Sequence, residues 1–177
     1  MRKRVRVSVP NFVREILEND MKYYDFSKDK ICNIIIQRLG FENTQSLHKK
    51  VVDNTSILNF NLNEKNTELF DKMFILSKEK IESEFFRRVF STYVNFHPFL
   101  REKILNTELF QILENAIKNK YKLKIYYEKK LLDIYPVAFE RNTDLYTILK
   151  ARKDGKEFLF EVRYIEVLKV NWIWKKK

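Results

Sequence analysis

The chain begins with a strict alternation of polar and apolar residues, "RVRVSV", which runs from Arg4 to Val9 and ends at Pro10. Alternation with a period of two predicts a β-strand that has one polar and one apolar face. A lone strand is not stable in water, so this one needs a partner strand and a set of helices to cover its valines. The polar face, formed by Arg4, Arg6 and Ser8, then points away from the core.

Two amphipathic helices are predicted directly after this strand. The first reads "PNFVREILENDMKYYDF", and the second, "SKDKICNIIIQRLG", begins with Ser27 as its cap and ends at Gly40. A strand followed by two helices within 40 residues resembles the ribbon-helix-helix family of DNA-binding proteins. The resemblance implies a two-stranded ribbon that enters the major groove, with Arg4, Arg6 and Ser8 facing the bases.

The same order of elements occurs a second time, in "SILNFNLNEKNTELFDKMFILSKEKIESEFFRRVFSTYV". Shifting the sequence by 53 residues aligns the valines of the first strand with Leu58, Phe60 and Leu62. The residues that alternate with them are Asn59, Asn61 and Asn63. Residues 1–97 are therefore predicted to be a tandem ribbon-helix-helix module, with copies at 1–40 and 56–95 and a linker at 41–55. The alternative is that both stretches are ordinary amphipathic segments.

Two arrangements of the two strands remain open. They pair with each other inside one chain, or each pairs with its twin in a homodimer. Pairing inside the chain is favoured, because tethered strands meet at a high effective concentration. Such a ribbon is chemically asymmetric, with arginines on one strand and asparagines on the other, and we expect it to select a non-palindromic site.

The last third of the chain predicts a helix that Thr107 caps, followed by five short strands with turn signals between them, which is typical of a small barrel. Residues 107–170 resemble the WYL domain, a regulatory SH3-like barrel that is often joined to bacterial DNA-binding modules. The sequence "LYT" at 145–147 stands where the family has its Trp-Tyr-Leu. The other matching residues are Ala116, Ile117, Leu123, Ile125, Tyr127, Pro136, Phe160 and Ile165. The predicted fold is α+β, with the tandem module at 1–97 and a WYL-like domain at 98–177.

The resemblance also implies a pocket of arginines in the barrel, but the chain has Asp133, Phe158 and Tyr164 at those places. The residues left to form a weaker pocket are Tyr127, Tyr146, Lys150 and Arg163. The alternative is a packing or dimerisation module that binds no ligand. Beyond the matched region, Trp172 and Trp174 are expected to pack on an edge strand rather than to stack on bases.

The charge balance favours a polyanionic partner. Lysine and arginine total 35 against 24 acids, which gives a net charge of +11 and a pI near 9.6. Cys32 lies in the apolar stretch "ICNIII", the two histidines have no ligand-like neighbours, and Gly155 belongs to an Asp-Gly hairpin turn. We therefore expect no enzyme, no metal and no cofactor. No apolar run is long enough to span a bilayer, so a cytoplasmic protein without a membrane partner is expected.

Two functions from different classes follow from these patterns. One is a transcriptional regulator that reads duplex DNA, which the outward arginines and asparagines favour because these residues recognise guanine and adenine. The other, implied by the WYL resemblance, is an accessory protein of a type VI CRISPR system that binds single-stranded RNA or the effector protein. In either case Ser27 and Lys28, at the start of a helix, are expected to contact phosphate. Glu82 and Glu84 make the equivalent helix start in the second copy less suited to it.

Overall fold

The computed structural model describes residues 3–42 and 54–171. The chain divides into two compact units, Met1–His97 and Pro98–Lys177. None of the described helices has the length and apolarity that crossing a bilayer requires. Trp172, Trp174 and most of the predicted linker lie outside the described residues.

The first unit contains two strand–helix–helix segments in the predicted order. Their elements are β1 (Arg4–Pro10), α1 (Asn11–Tyr24), α2 (Lys28–Leu39), β2 (Thr55–Asn61), α3 (Glu64–Ser77) and α4 (Glu82–Val94). β1 pairs antiparallel with β2, and Val7 lies opposite Leu58 in the register. The pairing inside one chain, which the sequence favoured over pairing between chains, is thus confirmed. We call the β1–β2 pair the ribbon.

The inner face of the ribbon is the apolar row that the alternation predicts. The side chains of Val5, Val7 and Val9 are buried, as are Leu58 and Phe60 opposite them. The ring of Phe60 meets the edges of two rings of α4, those of Phe86 and Phe90, at centroid distances of 5.8 and 5.6 Å. Burial of such side chains contributes about 1.5–3 kcal/mol each, so this row holds the ribbon on its helices.

The ends of α2 agree with the sequence at both Ser27 and Gly40, but the physical reason for the glycine is not the turn. Ser27 caps α2, because its hydroxyl accepts a hydrogen bond from the Lys30 amide at 3.3 Å. Gly40 is the residue after α2, but its φ of −63° is one that any residue adopts. A Cβ there would lie 2.4 Å from the Met73 sulfur and 2.6 Å from the Ile36 carbonyl oxygen. Glycine is needed at this position because α3 packs closely against the end of α2, and not for the turn itself.

The second unit combines two helices with a five-stranded antiparallel sheet. Its elements are α5 (Pro98–Leu105), α6 (Thr107–Asn119), β3 (Lys122–Tyr127), β4 (Lys130–Arg141), β5 (Thr147–Lys153), β6 (Lys156–Glu161) and β7 (Glu166–Asn171). The sequence did not predict α5, and no side chain caps α6. The Thr107 hydroxyl instead donates to carbonyls in the last turn of α5, because only Asn106 separates the two helices. Asp154 and Gly155 form the predicted β5–β6 turn, both with positive φ.

The strands of the second unit lie in the order β6-β5-β4-β3-β7. Among the described residues this sheet is open, since β6 and β7 each pair on one side only. The core of the unit lies between α6 and the sheet, where Phe110 and Leu113 pack with Leu123 and Ile125. The mixed α+β class is confirmed, while the closed SH3-like barrel stays a prediction.

Replacing Val7 by aspartate is expected to unfold the first unit. The side chain is almost fully buried in the ribbon, and an unpaired carboxylate there costs roughly 3–5 kcal/mol, much of the stability of a small domain. Chemical denaturation of the full chain, followed by circular dichroism, measures the loss. The matched control is Ser8→Asp, the next residue of β1, which faces outward. Equal stability of the two variants would contradict the assigned inner face.

Candidate nucleic-acid interface

The outer face of the ribbon consists of three rungs of facing residues. Arg4 lies opposite Asn61, Arg6 opposite Asn59, and Ser8 opposite Ile57. Successive rungs are two residues apart, which is about 6.6–6.8 Å along a strand. These side chains point away from the buried valine row, so they form the surface that a ligand of the ribbon would meet.

Arg4 and Arg6 are the free cations of this surface. Both side chains are exposed, and neither guanidinium forms an ion pair or a hydrogen bond with any residue that the structure describes. Their valine neighbours are buried, which fixes the direction in which the arginines point. The structure therefore places two adjacent, unpaired guanidinium groups on one strand, where the sequence predicts them.

Asn61 has a different role from the predicted one. Its side-chain amide donates to one carboxylate oxygen of Asp29 at 3.0 Å, and its backbone N–H donates to the other at 3.1 Å. Asp29 lies in the first turn of α2, so these two bonds attach the end of β2 to the start of that helix. One N–H group of the amide that the sequence predicts for base contact is thus used in this link.

Asn63 also departs from the prediction, because it lies beyond the end of β2. It is the N-cap of α3, and its side-chain oxygen accepts a hydrogen bond from the Asn66 backbone N–H at 2.8 Å. The strand stops at Asn61, and the buried Leu62 connects it to the helix. Asn63 therefore belongs to a helix start and not to the ribbon face.

A buried asparagine that sequence reasoning missed organises this corner. The amide nitrogen of Asn33, in α2, donates to the carbonyl oxygens of Asp29 (2.7 Å) and Asn61 (2.8 Å). Its side-chain oxygen accepts from the Asn63 backbone N–H (2.8 Å) and from the Asn66 amide (2.9 Å). The one signal in the sequence is a polar residue inside "ICNIII", on an otherwise apolar helix face.

The outer faces of the other two rungs, Arg6–Asn59 and Ser8–Ile57, are less polar than the sequence predicts. Asn59 is half-buried, and its side-chain oxygen is enclosed without a hydrogen-bond partner among the described residues. The Ser8 carbonyl accepts a hydrogen bond from Arg87 Nε at 3.0 Å, which attaches the end of β1 to α4. Ile57, which sequence reasoning did not include, lies opposite Ser8 and is 46% exposed. Because Leu58 and Phe60 point inward, the alternation along the strand predicts that Ile57 points outward.

The starts of α2 and α4, which the sequence compares as phosphate contacts, differ in structure. At α2 the Ser27 hydroxyl is used as the cap, Lys28 is exposed, and the Lys30 ammonium lies 3.5 Å from the centre of the Phe26 ring. At α4 no side chain forms a capping hydrogen bond, and Glu82 binds the Lys3 ammonium at 2.6 Å. The α2 start is the more cationic of the two.

Two of the four residues predicted for a pocket in the second unit come together. The Tyr127 hydroxyl accepts a hydrogen bond from the Glu161 backbone N–H at 3.3 Å, and burial raises the pKa of this phenol. The Arg163 guanidinium binds the Glu161 carboxylate at 2.8 Å and lies over the ring of Tyr164. Tyr127 also meets the ring of Phe160 edge to face. Glu161 thus joins Tyr127 and Arg163, but it also neutralises the arginine.

The other two pocket residues lie elsewhere. Lys150 stands between the buried Leu149 and Ala151, so it points to the opposite face of the sheet from Phe160, which pairs with Leu149. It binds Glu157 at 2.9 Å and Glu140 at 3.7 Å, and the Glu157 hydrogen bond raises the pKa of its ammonium. Tyr146 lies in the turn before β5, where its backbone N–H donates to Asn142 Oδ1. No four-residue pocket is assembled.

The three residues that replace the implied arginines do not provide a cationic site either. Asp133 binds Lys122 at 3.0 Å, and that contact lowers the pKa of the Asp133 carboxyl and raises the pKa of the Lys122 ammonium. Phe158 and Tyr164 are both partly exposed aromatic side chains. In the first unit, burial raises the pKa of the Cys32 thiol far above its usual range, which disfavours the reactive thiolate form.

Comparison with protein-family models finds no match, and comparison with curated proteins finds none. Among solved structures, the crystal structure of a CRISPR Cas-related protein is similar, with a TM-score of 0.66 at 10% sequence identity. The match covers 99% of this chain and 65% of that protein's chain. This chain thus shares its fold with part of a CRISPR Cas-related protein.

Replacing Asn33 by alanine is expected to lower the free energy of unfolding by on the order of 3 kcal/mol. The change leaves the Asn63 N–H and the Asn61 carbonyl without their buried partner, and each such loss costs about 1–3 kcal/mol. Urea denaturation measures the loss. The control is Gln37→Ala, one turn further along α2, whose amide forms no hydrogen bond with the described residues. If both variants are equally stable, Asn33 does not hold the corner together.

Proposed function

We propose that the chain is a nucleic-acid-binding transcriptional regulator whose ribbon contacts duplex DNA in the major groove. The observation that carries this proposal is the pair of exposed guanidinium groups of Arg4 and Arg6 on successive rungs, neither of which has a partner in residues 3–42 and 54–171. The major groove of B-DNA admits a two-stranded β-ribbon, and a guanidinium binds the O6 and N7 atoms of guanine with two hydrogen bonds. The ribbon-helix-helix resemblance supports the same placement.

The phosphate backbone is contacted by the start of α2 in this proposal. Helix N-termini present free N–H groups and a partial positive charge to anions, and Lys28 adds a full charge. The first turn of α4 carries two acids, Glu84 and the Lys3-bound Glu82, whereas the first turn of α2 carries one, Asp29. The contact with the phosphate backbone is therefore stronger at the start of α2 than at the start of α4.

The second unit serves as a regulatory or dimerisation module in this proposal. Its predicted pocket cations, Lys150 and Arg163, are each held by carboxylates, which supports the packing alternative over anion binding. Several apolar side chains of its sheet are exposed, among them Leu131, Phe158 and Leu159. Such side chains are suited to a contact with another protein surface.

A second function is favoured by the fold comparison. The likeness to a CRISPR Cas-related protein supports a CRISPR accessory protein that binds single-stranded RNA or the effector protein. In that case Arg4 and Arg6 contact the phosphates of a single strand, and no base pairs are required. Duplex DNA stays the first choice, because the ribbon presents its arginines at a spacing of about two base pairs.

Replacing Arg6 by alanine is expected to weaken duplex binding by about 1–3 kcal/mol, roughly 5- to 150-fold, and to relax base preference at one position. Arg4→Ala has the same effect at a second position. Fluorescence anisotropy at fixed salt, with duplexes selected from a random pool, measures both. The control is Arg14→Ala, whose guanidinium binds Glu18 on α1 and not a ribbon residue.

The same assay with single-stranded RNA separates the two functions. Tighter binding of a selected duplex than of single-stranded RNA supports the regulator. Preference for single-stranded RNA, with both arginine variants equally weakened for every sequence, supports the accessory protein. Unchanged affinity of both arginine variants for both ligands rejects the ribbon as the binding surface.

Replacing Lys28 by glutamate is expected to reduce the salt dependence of duplex binding. Each phosphate contact contributes about 0.9 to the slope of log K against log salt concentration, so losing the contact flattens the slope by about 1. Titrations at four salt concentrations measure the slope. Lys72→Glu makes the same charge change at an exposed position of α3 and serves as the control. Identical slopes for the two variants would remove α2 from the phosphate contact.

A further inference from the structure

We infer that the ribbon reads duplex DNA with a fixed polarity: Arg4 and Arg6 contact guanines, and Ile57 contacts the methyl group of a thymine at the other end. This inference rests on the proposed function and names the base pattern that the same surface recognises. In the sequence-based expectation, by contrast, the asparagines of β2 make the base contacts of the second strand.

Ile57 is an apolar side chain on a polar surface. It is 46% exposed although its neighbour Leu58 is buried, because the register of β2 turns every second residue outward. The facing residue is Ser8, whose short side chain leaves the isoleucine prominent. In the major groove the C5-methyl group of thymine is the apolar feature that protein side chains contact. An exposed isoleucine on the reading face therefore matches thymine.

Asn61 is hydrogen-bonded to Asp29 in α2. Both carboxylate oxygens of Asp29 accept hydrogen bonds from Asn61, one from the side chain and one from the backbone. The side-chain bond uses one of the two N–H groups of the amide and ties this side chain to α2. We therefore assign the base contact of this rung to Arg4, whose guanidinium has no partner among the described residues.

The spacing of the rungs sets the order of the bases. Arg4, Arg6 and Ile57 lie on three successive rungs about 6.6–6.8 Å apart, and base pairs rise about 3.4 Å each. Successive contacts are thus about two base pairs apart. The site is read as two guanine contacts followed by one thymine contact, and it has no two-fold symmetry.

The test uses deoxyuridine, which lacks only the methyl group of thymine. A duplex selected by the full-length chain is remade with each thymine replaced singly by deoxyuridine, and affinity is measured by fluorescence anisotropy. At one thymine, about four base pairs from the first guanine contact, we expect binding about four-fold weaker, which corresponds to the ~0.8 kcal/mol of one buried CH₂-sized group. The Ile57→Ala variant is expected to bind the two duplexes equally.

Ile75→Ala is the matched control, since Ile75 is an exposed isoleucine in α3 and not in the ribbon. It should keep the full sensitivity to deoxyuridine. If Arg6→Ala weakens binding but no deoxyuridine substitution does, or if Ile57→Ala keeps that sensitivity, this inference fails while the proposed function stands. If the chain does not bind duplex DNA, or binds it without Arg6, the proposed function fails and the inference with it.

Discussion

The antiparallel pairing of β1 with β2 is the interaction on which the first unit depends. Its register places the valines of one strand opposite Leu58 and Phe60 of the other, so that one face is apolar along its whole length. A slip of one residue would turn Arg6 into the core and Val7 into water, which the burial of the row forbids. The position of each arginine on the surface is thus set by the core beneath it.

The same pairing interlocks the two strand–helix–helix segments. The end of β2 is bonded to Asp29 in α2, the second helix of the first segment, while the end of β1 is bonded to Arg87 in α4, the second helix of the second segment. Each strand is therefore anchored by a helix of the other segment. Neither segment completes its hydrogen bonds or its core alone, which is why two copies in one chain form a single unit.

Much of this fold can be predicted from local patterns in the sequence. The strands follow from alternation, the helices from their apolar spacing, and the β5–β6 turn from Asp154 and Gly155. What the pattern does not contain is the partner of a polar residue. The sequence predicts Asn61 as a base contact, whereas in the structure its amide donates a hydrogen bond to Asp29, which is far away in the chain.

Other differences between the prediction and the structure also come from partners that lie far away in the chain. The need for Gly40 comes from Met73 on a different helix, and the hub role of Asn33 comes from three asparagines that lie beyond the linker. The predicted pocket of the second unit is not assembled, because Lys150 and Arg163 each bind a carboxylate that the sequence does not identify as their partner. Ile57 is the exception, because the alternation of β2 is enough to predict that its side chain points outward.

The net charge of the chain does not by itself locate an anion-binding surface, because cations differ in what surrounds them. Lys150 and Arg163 of the second unit lie within 3 Å of carboxylate oxygens, and an incoming phosphate would have to displace those partners. The guanidinium groups of Arg4 and Arg6 have no such partner among the described residues, so an anion that approached them would displace no ion pair. Among the described residues, Arg4 and Arg6 are exposed, have no ion-pair partner and lie on adjacent rungs of one strand. This difference, and not the total of +11, is the physical reason why the proposed nucleic-acid contact is assigned to the ribbon.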